Sequence, residues 1–206
     1  MWSATNVRTI DITRGPQGPF AFPPGETVTC EFTPKSHGKG STPKFECALP
    51  SGRALKVRYG NDNGEVYAQV AATRLLWTLG FAATRMYPVK LVCRGCPPHP
   101  FKDRTAAPRS TVTTFDPATI EVKADGETIE TKPGEGWSWD ELDLIDRISE
   151  GGRKFLADLL NQLSDAQIRD LFGVARFTQR DPSASLADWI NAFKAKREAI
   201  ATRTCP

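Results

Sequence analysis

The stretch LKVRYGNDNGEVYAQVAATRLLWTLGF, residues 55–81, decides how this chain folds. It begins with the alternation of a strand, turns on glycine and asparagine, and continues with apolar residues at helical spacing. Apolar side chains cover most of the predicted helix, residues 64–80, so we expect that helix to be deeply buried. Gly80 is suited to end it as a C-cap. The stretch therefore predicts a strand followed by a helix that packs on the sheet.

The residues around this unit predict a β-rich first part of the chain. Alternating apolar residues predict strands at residues 7–13, 27–32, 44–49 and 86–93. Residues 119–131 predict a hairpin that turns at ADGE. The Pro- and Thr-rich residues 96–118 predict a long loop between these elements.

From Trp137 onward the sequence predicts helices only. Apolar residues recur at helical period in several segments. Two of these segments begin with capping-box spacing, Ser164 with Gln167 and Ser185 with Asp188. The last part of the chain is therefore expected to be a set of amphipathic helices.

Together these patterns predict an α+β fold in two parts. Residues 1–132 are expected to form an antiparallel sheet with one packed helix, and residues 133–206 an all-helical C-terminal part. A chain of 206 residues suits one domain, or a small domain with an appendage, and is long enough to bury a core.

Composition and charge narrow the classes of function. No apolar run approaches 18 residues, and the first residues show no secretion signal, so neither a membrane span nor a signal peptide is expected. Residues 1–110 carry 15 Lys and Arg against 7 Asp and Glu, while residues 111–206 carry 12 against 17. A basic half can attract phosphate-bearing ligands, or can simply be a solvated surface. The basic residues are scattered and lack RNA-binding signatures, so a nucleic-acid partner is not expected.

The cysteines leave two kinds of chemistry open. The motif CRGC runs from Cys93 to Cys96 and has the C-x-x-C spacing of zinc ligands or redox pairs. Cys30 and Cys47 lie on neighbouring predicted strands. They could complete a four-cysteine zinc site with Cys93 and Cys96, or form a cross-strand disulfide in an exported protein. The fifth cysteine, Cys205, could pair between chains.

The order of elements from Thr27 is that of a protein-kinase small lobe. In such lobes glycine backbone approaches the phosphates, a strand Lys neutralises them, and a helix Glu orients the Lys. The corresponding candidates are the loop residues Gly38, Gly40, Ser41 and Thr42, the cations Lys56 and Arg58, and the helix residues Glu65 and Gln69. Lys56 and Arg58 share one face of the strand, where basic side chains also commonly just face water.

Four segments resemble a known protein family: GSTPKFECAL, ALKVRYG, EVYAQVAATRLLWTLGF and MYPVKLVCRGCP. This family consists of uncharacterised bacterial proteins, often exported, that are distantly similar to the small lobe of phosphoinositide-kinase and HipA-like kinases. The resemblance covers residues 7–101 and resumes from WSWDELDL to the terminal helix. It implies a nucleotide-facing lobe with ATP and Mg²⁺ as ligands, a helical remnant of the large lobe, and a periplasmic or secreted location.

The chain departs from this family at three points. Arg58 stands where relatives have Lys, and Gln69 stands where they have Glu. The catalytic stretch that relatives place before the helical tail is missing, because the chain continues from Ile145 directly into that tail. His37 and His99 lack the context of that stretch. We therefore expect a degenerate or truncated kinase-like protein that can bind nucleotide but has no phosphotransferase activity.

Two other functions fit the sequence. The first is a non-enzymatic, disulfide-stabilised interaction domain of the cell envelope, whose helical tail docks a partner. The second is a binding module stabilised by zinc on the four cysteines. Trp137 and Trp139 could stack on a sugar, although such a pair more often belongs to a core.

Overall fold

Strands and one helix make up the first part of the chain, and helices make up the last. The computed structural model describes residues 2–34, 41–122 and 149–203. Within these ranges the elements are β1 (Thr27–Thr33), β2 (Lys44–Ala48), β3 (Ala54–Tyr59), α1 (Gly64–Thr78), β4 (Arg85–Arg94), β5 (Val112–Val122), α2 (Glu150–Leu160), α3 (Asp165–Val174), α4 (Phe177–Arg180) and α5 (Leu186–Thr202). The helix predicted at residues 64–80 is confirmed as α1, followed by Gly80 at a positive φ of 85°.

These strands close into a barrel in the order β1-β2-β3-β5-β4. Neighbours pair antiparallel except β1 and β4, which run parallel with Cys30 opposite Cys93. Parallel strands need a long connection, and here it contains β2, β3 and α1. The α+β class is confirmed. The wholly antiparallel sheet is wrong, because the closing pair joins strands that are distant in sequence.

The barrel interior is a packed apolar core. Alternate strand residues point inward, and Phe45, Val57 and Ile120 are fully buried there. The Phe45 ring centroid lies 5.1 Å from that of Phe115 and 5.4 Å from that of Tyr59. Side chains fill this interior, so a ligand site would lie on the outside of the barrel.

Helix α1 lies between the barrel and the C-terminal helices. On the barrel side, the Thr119 hydroxyl of β5 donates a hydrogen bond of 2.9 Å to the Val66 carbonyl. On the other side, Val70 and Leu79 join a second core with Ile168 of α3 and with residues of α2. Two covered faces account for its buried apolar residues, whereas Ala68, Ala72 and Leu76 on the remaining face are exposed, so the helix is less deeply buried than predicted.

The N-terminal residues do not form the predicted strand. Residues 7–13 contain a short 3-10 helix, Val7–Thr9, followed by a turn. Val7 and Ile12 are buried in the second core, and the Gln167 amide of α3 donates to the Val7 carbonyl at 2.7 Å. The alternating apolar residues of this segment thus anchor it between helices. Periodicity alone does not distinguish such a segment from a strand.

Strand β5 begins earlier than the sequence suggests. Residues 112–118, which were predicted as loop, pair with β4 from Val112 opposite Arg94 onward. The Asp116–Pro117 step favours a loop locally, but the β-branched Thr113 and Thr114 extend the strand. The ADGE turn of the predicted hairpin and the two tryptophans at 137 and 139 lie outside the described residues.

Local capping signals place the C-terminal helices correctly. Ser164 and Gln167 form a capping box at the start of α3, and Ser185 and Asp188 form one at the start of α5. Each box satisfies helix N–H groups that would otherwise lack partners. In the part of the chain that is described, no helix combines the length and apolarity needed to cross a bilayer.

Arg74 of α1 holds the N-terminal segment in place. The residue is fully buried, and its Nη1 donates to the Ile12 carbonyl at 2.5 Å and to the Thr13 carbonyl at 2.9 Å. Burial lowers the pKa of the Arg74 guanidinium to about 10, so the side chain stays charged at pH 7. Gly15 has a φ of 70°, and a Cβ there would overlap this guanidinium.

We expect Arg74→Ala to lower the free energy of unfolding by about 2–4 kcal/mol, because it leaves a cavity and removes the donor to two carbonyls. Urea denaturation measures this loss. Arg85→Ala is the control, since Arg85 is only partly buried and its hydrogen bond to the exposed Gln17 carbonyl is long, at 3.5 Å. Its expected cost is about 0.5 kcal/mol. Equal losses in the two variants would contradict the anchoring role.

Candidate functional site

The candidate site is a group of four charged side chains on the outside of the barrel. Arg58 of β3 forms an ion pair with Glu65 of α1 through Nη1, and its Nη2 lies 3.2 Å from Glu121 Oε2. The Lys56 ammonium lies 3.0 Å from the same Glu121 oxygen. We call Lys56, Arg58, Glu65 and Glu121 the Arg58 cluster.

Strand alternation and helix capping produce this arrangement. Leu55 and Val57 point into the barrel, so the two basic residues of β3 point outward. Lys56 is the register partner of Glu121 on β5. Asn63 caps α1 by accepting a hydrogen bond from the Glu65 N–H. This cap places Glu65 in the first turn, where a carboxylate interacts favourably with the helix dipole.

The cluster divides into a buried half and an accessible half. The side chains of Arg58 and Glu121 are 11% and 10% exposed, whereas those of Lys56 and Glu65 are each 35% exposed. Arg58 Nε is buried and has no hydrogen-bond partner among the described residues. Two cations face two carboxylates, so the cluster is neutral as a whole. Arg58 therefore anchors the group, and Lys56 is the cation that a ligand can reach.

The structure brings together some of the predicted site residues. Arg58 pairs with Glu65, and Gln69 lies one turn further along α1. Ser41 is exposed, and two residues later the Pro43 carbonyl accepts a hydrogen bond of 3.0 Å from the Asn63 amide. This bond ties the end of the loop to the start of α1. The loop residues Gly38 and Gly40 lie outside the described ranges.

Two charged residues near the site were missed by sequence analysis. Glu121 joins both cations, and Lys44 of β2 is the register partner of Arg58 and is 8% exposed. Glu121 lies in a segment predicted as strand, but the sequence does not reveal which strand pairs with it. Lys44 gives no signal beyond its place at the start of a strand.

A surface cavity of about 340 Å³ opens beside the cluster. Lys56 and Glu121 line it together with the apolar Leu55 and Val122 and the charged Glu46 and Arg53. Small-molecule sites begin at about 300 Å³ and combine an apolar surface with a few polar groups. The cavity therefore reaches the size of a small-ligand site, and charged residues make up four of its seven lining residues.

The four barrel cysteines are joined in two disulfides. Cys30 bonds to Cys47 and Cys93 bonds to Cys96, with Cα separations of 5.7 and 5.6 Å. Zinc binds thiolates, and these bonds leave none on the four residues, so the zinc-site interpretation is replaced by disulfides. In the described part of the chain, no group of three or more His, Cys, Asp or Glu could hold a metal ion.

Comparison with protein-family models, with curated proteins and with solved structures finds no match for this chain. The resemblance to a kinase-like family therefore stays a prediction. The fold class is α+β, with a small closed barrel and several helices. The case for a function rests on contacts within the chain, above all on the Arg58 cluster and the cavity beside it.

We expect Glu121→Ala to cost about 2–4 kcal/mol of stability, because it removes a buried carboxylate shared by two cations. Urea denaturation again provides the measurement. The matched control is Glu31→Ala, since the Glu31–Arg109 pair spans 3.7 Å and both side chains are more than half exposed. An exposed pair of this kind is worth about 0–1 kcal/mol. A loss for Glu121→Ala no larger than that of the control would show that the cluster does not stabilise the fold.

Proposed function

We propose that the barrel and α1 form the nucleotide-side lobe of a kinase-like protein of reduced form. The observation that carries the proposal is the ion pair between Arg58 on a strand and Glu65 on the following helix. Kinases hold their phosphate-binding Lys by the same strand-to-helix pairing. The order of elements, with a glycine-containing segment between β1 and β2, supports the proposal.

In this proposal Arg58 and Lys56 share the role that a single Lys has in kinases. Arg58 is a planar fork suited to a fixed, buried ion pair, and it bridges Glu65 and Glu121. Lys56 is a compact charge with three donors, and it faces the cavity. In this proposal Lys56 contacts the phosphates. The cluster is already neutral, so we expect weak, millimolar binding.

Mg²⁺ would accompany the phosphates of a bound nucleotide. Oxygen ligands suit this ion, and Glu46 lines the cavity as the register partner of Lys56. Bound Mg²⁺ would neutralise phosphate charge.

Phosphate transfer is not part of the proposed function. Kinases need an Asp that positions the attacking hydroxyl. They also need an Asp and an Asn, both on loops, that bind the metal ions. The one DLFG segment, residues 170–173, lies inside α3. His99 is exposed in a loop after β4. The proposal is therefore nucleotide binding without catalysis.

Isothermal titration with Mg²⁺ and ATP tests the binding proposal. We expect a Kd in the millimolar range, and Lys56→Ala should weaken binding about 3- to 10-fold because it removes the accessible cation. Lys90→Ala is the control, because Lys90 is exposed on β4, which β5 separates from β3. No ADP should accumulate. Absence of heat at about 10 mM nucleotide, or equal binding by Lys56→Ala, would remove the proposal.

A disulfide-stabilised envelope interaction domain is the second candidate. The two disulfides favour it, because such bonds persist in oxidising compartments and are rare in the cytosol. A periplasmic or secreted location fits the same observation. The partner would be a protein, docked by the C-terminal helices. This candidate and nucleotide binding are compatible, since they use different surfaces.

Thiol counting tests the second candidate. Protein from its native compartment, denatured without reductant, should show at most one alkylated cysteine per chain, because four of the five cysteines are bonded to one another. The same sample after reduction should show five. Five alkylated cysteines before reduction would argue against an oxidising compartment and against this candidate.

A further inference from the structure

Four cysteines form an array across three neighbouring strands of the barrel and the loop that follows β4. The strand order places β1 between β2 and β4. Cys30 of β1 is bonded to Cys47 of β2 on one side, and it is the register partner of Cys93 of β4 on the other. Cys93 is bonded in turn to Cys96. The order across the array is therefore Cys47, Cys30, Cys93 and Cys96.

All four sulfur atoms lie in the same apolar core. Each of these cysteines is at most 1% exposed, and all belong to the barrel interior. Register partners on adjacent strands point to the same face of a sheet. Adjacent strands lie about 4.8 Å apart, within the Cα separation of about 4.4–6.8 Å that a disulfide spans. Cys30 can therefore reach Cys93 as well as Cys47.

We propose that this array is an internal disulfide relay, in which Cys93 displaces Cys47 from Cys30. Thiol–disulfide exchange is the attack of a thiolate on one sulfur of a disulfide, in line with the bond that breaks. Cys93 lies on the side of β1 opposite to Cys47. It therefore reaches Cys30 from the β4 side, whereas Cys47 lies on the β2 side.

The relay has two balanced steps. The Cys93–Cys96 bond is buried, so a small dithiol first reduces it during local opening of the loop after β4, giving two thiols on the protein and a disulfide on the reductant. The Cys93 thiolate then attacks Cys30; the new Cys30–Cys93 bond forms and Cys47 leaves as a thiolate. The proton lost by Cys93 is balanced by the proton that Cys47 gains. The second step needs no further reductant.

The relay moves a covalent link from one strand pair to another. Before exchange, the Cys30–Cys47 bond ties β1 to β2, the strands that flank residues 34–43. After exchange, the Cys30–Cys93 bond ties β1 to β4 and makes the parallel closure of the barrel covalent. β1 and β2 then remain paired without a covalent link between them. This inference does not depend on nucleotide binding.

Disulfide mapping of the full chain tests the relay, in a Cys205→Ser background that removes the fifth thiol. Cys96→Ser leaves Cys93 without its partner, so the chain should contain Cys30–Cys93 and a free Cys47. Samples are held at pH about 8.5, the pKa of an exposed thiol, to favour thiolate formation, then acid-quenched, alkylated and digested. Trypsin places the four cysteines on separate peptides, because it cuts after Lys35, Lys44, Arg53, Lys90 and Arg94. We expect exchange in at least about a tenth of the chains.

Cys93→Ser is the matched control, because Cys96 is not a register partner of Cys30. It should keep the Cys30–Cys47 bond and show alkylation at Cys96 only. Exchange in Cys96→Ser no greater than in this control would overturn the relay. If Cys96→Ser does not fold, the wild-type chain with limiting dithiothreitol gives the answer. Chains with one remaining disulfide must then include some with the Cys30–Cys93 bond. If such chains contain only Cys30–Cys47 or Cys93–Cys96, the relay is overturned.

Discussion

The burial of α1 on two sides is the constraint on which the rest of the structure depends. The helix is apolar around most of its surface, so neither the barrel nor the C-terminal helices alone can cover it. β4 and β5 cover one face, and α3 covers the other. The same helix carries Glu65 toward β3 and Arg74 toward the N-terminal segment. One packed element thus fixes the site, the N-terminus and the contact between both parts of the chain.

The Arg58 cluster shows how that packing sets the chemistry of the outer barrel face. A buried guanidinium requires carboxylate partners, because an unpaired buried charge is strongly unfavourable. Glu65 comes from the helix and Glu121 from the neighbouring strand, so the cluster forms only when α1 and β5 are both in place. Lys56 shares Glu121 but stays partly exposed. Stability and accessible charge are therefore built from the same four residues.

Sequence predicted the features that depend on neighbouring residues. The helix at 64–80 and both capping boxes follow from spacing within a few residues, and they are confirmed. The parallel closure of the barrel and the early start of β5 depend on which strands meet, and that information is not local. The same limit applied at the site. Arg58 and Glu65 were found because strand and helix are consecutive, whereas Glu121 enters from 63 residues away.

The packing around α1 also bears on how a kinase-like site would behave in this chain. In kinases, movement of the helix that carries the orienting Glu is a means of regulation. Here α1 is held by its contacts with α3 and by Arg74, which donates to two carbonyls of the N-terminal segment. Moving the helix would uncover apolar surface on one side or the other, at about 25 cal/mol for each Å². The Arg58–Glu65 pair is therefore fixed by the fold, and control of this face would have to come from the β1–β2 side of the barrel, where the proposed exchange would move the covalent link between strands.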